Sequence, residues 1–409
     1  MQLLTVRDKK TENDFFNVCK LIYASDKNYI PHLRQDIEKI FDPAKNKLFR
    51  QGGDAVRWIL HDAEGKTIGR VAAFIHPKTS KTGTYKLGGM GFFECINNQQ
   101  AATTLLDTCK SWLIEKGMDG MDGPINFGEK DQFWGLLTEN FTAMPSYGMN
   151  YNPSYYQHFF EDYGFKLYFK QLVFWRDLTV PAQEIFVKKA GMVSTDPAFR
   201  VINMQGVKNE KIAEYFLEVY NSAWGVHEGF KEMRIEQARN IIKAMKVIMD
   251  RDILLFAFMG EKPIGFYLSI PELNEFFKHV NGNLNWWGKI KFLYHLKFSK
   301  RKTMLGIVFG VSKEYQGRGV EGALIKHCGD HVVPMGRYTE TILTWIGDFN
   351  PRMLKVIENL GTELHRTLVT YRMYFNNEIP FERHPIIGEK KKDQPAENQS
   401  ESPNAFEKD

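Results

Sequence analysis

The chain has 409 residues, 43% hydrophobic and 25% charged, with a formal net charge of +5. That balance suits a globular protein with room for two domains and excludes a disordered chain, and the charge is too mild to mark a nucleic-acid binder by itself. No run approaches the roughly 18 consecutive apolar residues of a membrane-spanning helix, and the first residues lack a signal peptide's apolar core, so a cytoplasmic location is expected.

In chain order, AVRWILHD and TIGRVAAFIH flank the turn AEGK and read as a hairpin. MGFFECI follows as a buried strand, and then a helix on which Ala102, Leu105, Leu106, Cys109, Trp112 and Leu113 recur at helical spacing, with Gly117 at its carboxyl cap. A strand LYFKQLVFWRDL closes this first unit. The second half repeats the order. DILLFAFM and PIGFYLSI flank GEK, KTMLGIVFGV is a strand, VEGALIKHCGDHVV a helix, TETILTWI a strand, RMLKVIENL a helix and RTLVTYRMYF the last strand. Asn152-Pro153 and Asn350-Pro351 each open a helix that a glycine closes, so two copies of one module are expected. The boundaries read as a first domain over 1–178, a linker over 179–199, a second domain over 200–375 and a largely disordered tail over 376–409, poor in aliphatic residues. Cys19, Cys95, Cys109 and Cys328 are scattered, and neither a metal site nor a disulfide frame is expected.

Between the strand MLGIVFGV and the helix VEGALI lies SKEYQGRG, whose glycines leave backbone N–H groups uncovered where a helix begins. Such a junction suits a phosphate or pyrophosphate. In this setting Gln316, Gly317, Arg318 and Gly319 resemble the Q/R-x-x-G-x-G/A loop of the GNAT acyltransferase superfamily, although Glu321 stands at the sixth position, usually Gly or Ala. The resemblance covers most of residues 200 to 375 and, more faintly, 1 to 178. It implies an α+β fold of two tandem GNAT-like domains, each a mixed central sheet flanked by helices. It also implies acetyl-CoA or another acyl-CoA as donor, held by Val311, Gln316, Gly317, Arg318, Gly319, Val320, Gly322, Ala323 and Asn350. The matching junction of the first copy, ECINNQQAATTLL, has no glycine and is not expected to hold pyrophosphate.

The implied chemistry is direct attack of an amine on the thioester. An amine with a pKa of about 10.4 costs roughly 4.6 kcal/mol to deprotonate at pH 7, so a base matters. Glu314 and Glu272 are the base candidates, and Tyr371 or Tyr374 stand in for the family's tyrosine, whose place Ile357 takes. His327 and Cys328 read as packing residues. The acceptor is an amine on a small molecule or peptide. The most individual feature is an insertion over 271–302, which after Glu275 holds seven Lys or Arg residues, many aromatics and no acid. It reads as a helical hairpin packed on the domain or a lid over the acyl site, ahead of a surface for membrane or nucleic acid. Two rival readings stand beside the transferase: a non-catalytic acyl-CoA-binding module, and a transferase using aminoacyl-tRNA.

Overall fold

The computed structural model describes residues 1–78, 80, 84–181, 183–225 and 232–388. Its first half runs β1 (Gln2–Thr5), α1 (Lys9–Ile22), α2 (Arg34–Phe41), α3 (Lys47–Arg50), β2 (Asp54–His61), β3 (Thr67–Ile75), β4 (Leu87–Cys95), α4 (Gln99–Glu115), β5 (Gly120–Gly123), β6 (Leu136–Glu139), α5 (Tyr156–Tyr163) and β7 (Lys166–Asp177). After α6 (Glu184–Ser194) the second half runs β8 (Phe199–Asn203), α7 (Asn209–Trp224), α8 (Ile235–Met245), β9 (Leu254–Met259), β10 (Lys262–Pro271), α9 (Asn274–Phe277), α10 (Trp286–Phe298), β11 (Thr303–Val311), α11 (Val320–His327), β12 (Glu340–Gly347), α12 (Pro351–Asn359) and β13 (Glu363–Tyr374).

Among the described residues, thirteen strands join one sheet, in the order β1-β2-β3-β4-β5-β13-β7-β12-β11-β10-β9-β8, with β6 also on β13. The two halves mirror each other in detail. Each has a parallel pair, β4 with β5 and β11 with β12, that stays together for only three or four residue pairs. Each also has a bulge in the strand before the helix, at β4 opposite Val71 and at β11 around Ile307.

The halves exchange their last strands. β7 does not close the first half as the sequence order suggests; it runs antiparallel to β12 of the second, while β13 runs antiparallel to β5 of the first. The two exchanged strands pair with each other along most of their length, from Glu363↔Trp175 to Arg372↔Lys166.

Two further segments carry structure of their own. The linker region contains α6, whose Ala190 and Val193 are buried in the same core as Leu324 and Cys328 of the α11 region. An apolar i, i+3 pair facing a neighbouring helix gives this short segment a reason to be helical. The tail is not wholly loose either: over 376–388 the backbone N–H of Ile387 donates to Phe349 O at 2.8 Å, and the His384 ring stacks on Phe349. The remainder of the expected disordered tail, 389–409, lies outside the described residues.

The insertion at 271–302 bridges the halves. Phe276, Phe277 and Phe292 are buried with Tyr23, Leu33 and Tyr151 of the first half, at roughly 1.5–3 kcal/mol for each such ring. The backbone N–H of Arg34 donates to Gly282 O at 2.9 Å, tying the connection between α9 and α10 to the start of α2. The insertion's roots, Pro271 and Met304, pair with each other at the end of β11 remote from the glycine loop. It therefore does not roof that loop.

Candidate functional site

β11 and β12 pair from Thr303↔Glu340 to Gly306↔Leu343 and then part. Where parallel strands part, their backbone N–H and C=O groups lose ladder partners and need others. The flanks of the gap are half-buried and largely apolar: Ile307, Val308 and Phe309 on one side, Leu343, Thr344 and Trp345 on the other. The bulge falls at the same place, between the pairs Gly306↔Ser269 and Val308↔Leu268, and bulges recur beside active sites because they interrupt pairing. Thr344 Oγ1 reaches across to Ile307 O at 3.5 Å.

Beyond β11 the chain turns through the glycine loop. Gln316 Nε2 donates back to Val311 O at 3.0 Å, which folds the loop onto the strand end. Gly317 and Gly319 have φ of +74° and +93°, left-handed values that favour glycine. α11 then starts with Gly319 as its N-cap and no side-chain cap. The equivalent α4 start is different: Asn98 Oδ1 accepts from Ala101 N at 2.9 Å and occupies the position an anion would need.

Gly319 has a second reason to be glycine. A Cβ there would lie 2.0 Å from Lys189 O, so the backbone of α6 sits directly against the loop. At Gly317 a Cβ would meet nothing within 4 Å. Gln316, Gly317 and Arg318 are exposed, whereas Val311, Gly319, Val320, Gly322 and Ala323 are buried and Glu321 is half-buried. The Arg318 guanidinium lies over the Tyr315 ring. Asn350 is an N-cap, its Oδ1 accepting from Met353 N at 3.2 Å.

The residues read as acid or base do not converge on this gap. Glu314 is paired with Lys262 at the surface, at 3.2 Å. Tyr371, carried into the first half by the strand exchange, donates to Glu161 at 2.7 Å. Glu272 is fully buried at the other end of β11, where its backbone N–H donates to Thr303 O. Along the strand that is about 26 Å from the loop. Its Oε1 accepts from Tyr147 N at 2.8 Å and Asn274 N at 3.0 Å, and burial pushes its pKa up to about 7. Among the described residues, Glu272 Oε2, and Nε and Nη1 of the fully buried Arg366, have no hydrogen-bond partner. A cavity of about 400 Å³ also lies at this end, lined by residues that include Met144, Glu275, Lys278, His279, Lys302 and Glu340; its carboxylates already hold Thr303 and Lys302. The Cys328 thiol is buried and pushed up to about 12, which makes it unreactive.

The sequence reading missed one polar centre. In the first half Glu94 is buried on β4, accepting from Tyr23 and Tyr156 hydroxyls, both at 2.9 Å, and facing Arg70 at 3.4 Å. Burial raises its pKa, against the opposing pull of Arg70 and the two hydroxyls. Arg70 also donates to Phe15 O, so the cluster ties α1, β3, β4 and α5 together. Near the end of β11 the second half has instead Gly310, where a Cβ would strike the Trp224 ring at 2.8 Å. An acid and an arginine in cross-strand register within two apolar strands was the available signal.

No family model matches the chain. It is 26% identical over 363 residues to Protein YghO of Escherichia coli (strain K12), covering 86% of this chain and 89% of that protein. It is 25% identical over 358 residues to the bacterial ceramide synthase of Caulobacter vibrioides, covering 86% and 91%. Among solved structures, a tandem GNAT protein from the clavulanic acid biosynthesis pathway superposes with a TM-score of 0.51 at 10% identity, over 92% of this chain and 99% of that one. The GCN5-related glucosamine N-acetyltransferase region of a fungal multi-domain β-N-acetylglucosaminidase gives 0.51 at 14% identity, over 91% of this chain but only 38% of that one. The chain has the tandem GNAT fold.

Proposed function

We propose that the protein is an N-acyltransferase in which the second half takes an acyl-CoA donor and passes its acyl group to an amine. The observation that carries this reading is the parting of β11 and β12 beside an α11 start that no side chain caps. Backbone N–H groups there suit the donor's pyrophosphate, and the strand gap suits its extended arm. In the reaction the amine nitrogen bonds to the thioester carbonyl carbon, the C–S bond breaks, and the amine gives up a proton. The sulfur leaves as a thiolate of a thiol with a pKa near about 8.5, which needs no strong acid.

One feature favours a long acyl chain and a lipid amine over acetyl transfer to a polar acceptor: the relative named as a ceramide synthase. A donor-binding module without transfer is the second reading. It is favoured by the commitment of Glu314, Glu272 and Tyr371 to partners outside the gap.

The test is release of free thiol from acetyl-CoA and palmitoyl-CoA with a panel of amines that includes a sphingoid base. Palmitoyl-CoA with the sphingoid base is expected to give the fastest release, with the amide as product. Tight palmitoyl-CoA binding without release by any amine would select the second reading.

A further inference from the structure

The outward face of α10 serves neither the core nor the strand gap. Asn285 caps the helix by accepting from Gly288 N at 2.9 Å, and Phe292, stacked on Phe277 at 4.8 Å, fixes its inner face to the body. The outer face is also apolar: Trp286 and Trp287 are 67% and 65% exposed, and Ile290, Leu293, Tyr294 and Phe298 are exposed beside them. At about 100° per residue these six side chains fall within an arc of about 140°. Lys291 borders that arc on one side and Lys289 on the other, with Lys297 inside it. A helix apolar on both faces has an outer face that water does not account for.

We propose that α10 docks the protein on the anionic face of a phospholipid bilayer, lying in the interface with its tryptophans and aliphatic side chains among the upper acyl chains. The charge around the stripe matches that partner. From residue 276 to 302 there are seven Lys or Arg and no Asp or Glu, and Lys289, Lys291, Lys297 and Lys300 are exposed with no ion pair among the described residues. Trp and Tyr prefer the membrane interface, and basic residues bordering an apolar stripe add attraction to anionic lipid. A second copy of the chain fits worse, because two such basic stripes repel. RNA fits worse because Ile290 and Leu293 offer bases nothing to stack on. Among the described residues no helix is long and apolar enough to cross a membrane, so the attachment is to the surface.

The test is cosedimentation of the full chain with vesicles of phosphatidylglycerol and phosphatidylcholine mixed equally, against vesicles of phosphatidylcholine alone. Binding to the mixed vesicles is expected, weakening by roughly tenfold or more in Trp286→Ser/Trp287→Ser and in Lys289→Glu/Lys291→Glu. All four side chains are exposed, so melting temperatures should stay unchanged. Brominated acyl chains should quench tryptophan emission of the unaltered protein more than that of the double serine variant. Absence of vesicle binding, or binding that both variants retain, would overturn the proposal. So would a dimer that the serine variant dissolves, or RNA affinity lost in parallel at the same salt.

Discussion

Gly319→Val is expected to destabilise the protein by about 2–5 kcal/mol. A left-handed backbone costs an L-residue roughly 1–2 kcal/mol, and more when the side chain is β-branched. The new Cβ would also start 2.0 Å from Lys189 O, a backbone atom that moves only if α6 moves. Overpacking of this kind adds about 1–3 kcal/mol. Gly317→Ala is the control, since it has the same backbone sign and open space around it. Urea melts of the two variants compare them directly; equal losses would mean that α6 does not bear on the loop. Any loss of donor affinity in Gly319→Val then has a structural cause besides contact with the ligand, which makes Gly317 the better probe.

Glu94→Ala is expected to cost about 3–5 kcal/mol, because it leaves Arg70 charged, buried and short of its partner. It also takes the acceptor from the Tyr23 and Tyr156 hydroxyls. Replacing both charged residues, as Glu94→Leu/Arg70→Met, should recover a large part of the loss, since no unpaired charge then remains. Chemical denaturation at neutral pH measures both. A single-variant loss below about 1 kcal/mol would show that the cluster does not hold α1 and α5 to the sheet.

Much of the local structure was legible because it follows from local rules. The hairpins, the β4–α4 unit and the glycines after the helices, Gly117, Gly164 and Gly361, all with positive φ, stand where pattern and turn chemistry place them. The strand exchange was not legible: β7 and β13 have similar patterns, and nothing local says which edge each one joins. That ambiguity is why Tyr371 could be read as a site residue although it belongs to the first half's core.

The glycine loop shows a different limit. Its conformation followed from its residues, but its neighbour did not, because α6 reaches Gly319 from a segment about 130 residues earlier that reads as a linker. The insertion's composition likewise could not separate its buried rings, Phe276, Phe277 and Phe292, from its exposed ones. Composition counts aromatic residues, whereas the direction each one faces is set by the partner strands and helices.

Whether the second half alone holds the acyl donor is decided most directly by hydrogen exchange of the full chain with and without palmitoyl-CoA. Amides from Gly317 to Ala323 and from Ile307 to Phe309 should slow in its presence, while those of the α4 start, from Asn98 to Ala101, stay unchanged. Protection at the α4 start instead, or none at the glycine loop while the donor is bound, would contradict the assignment.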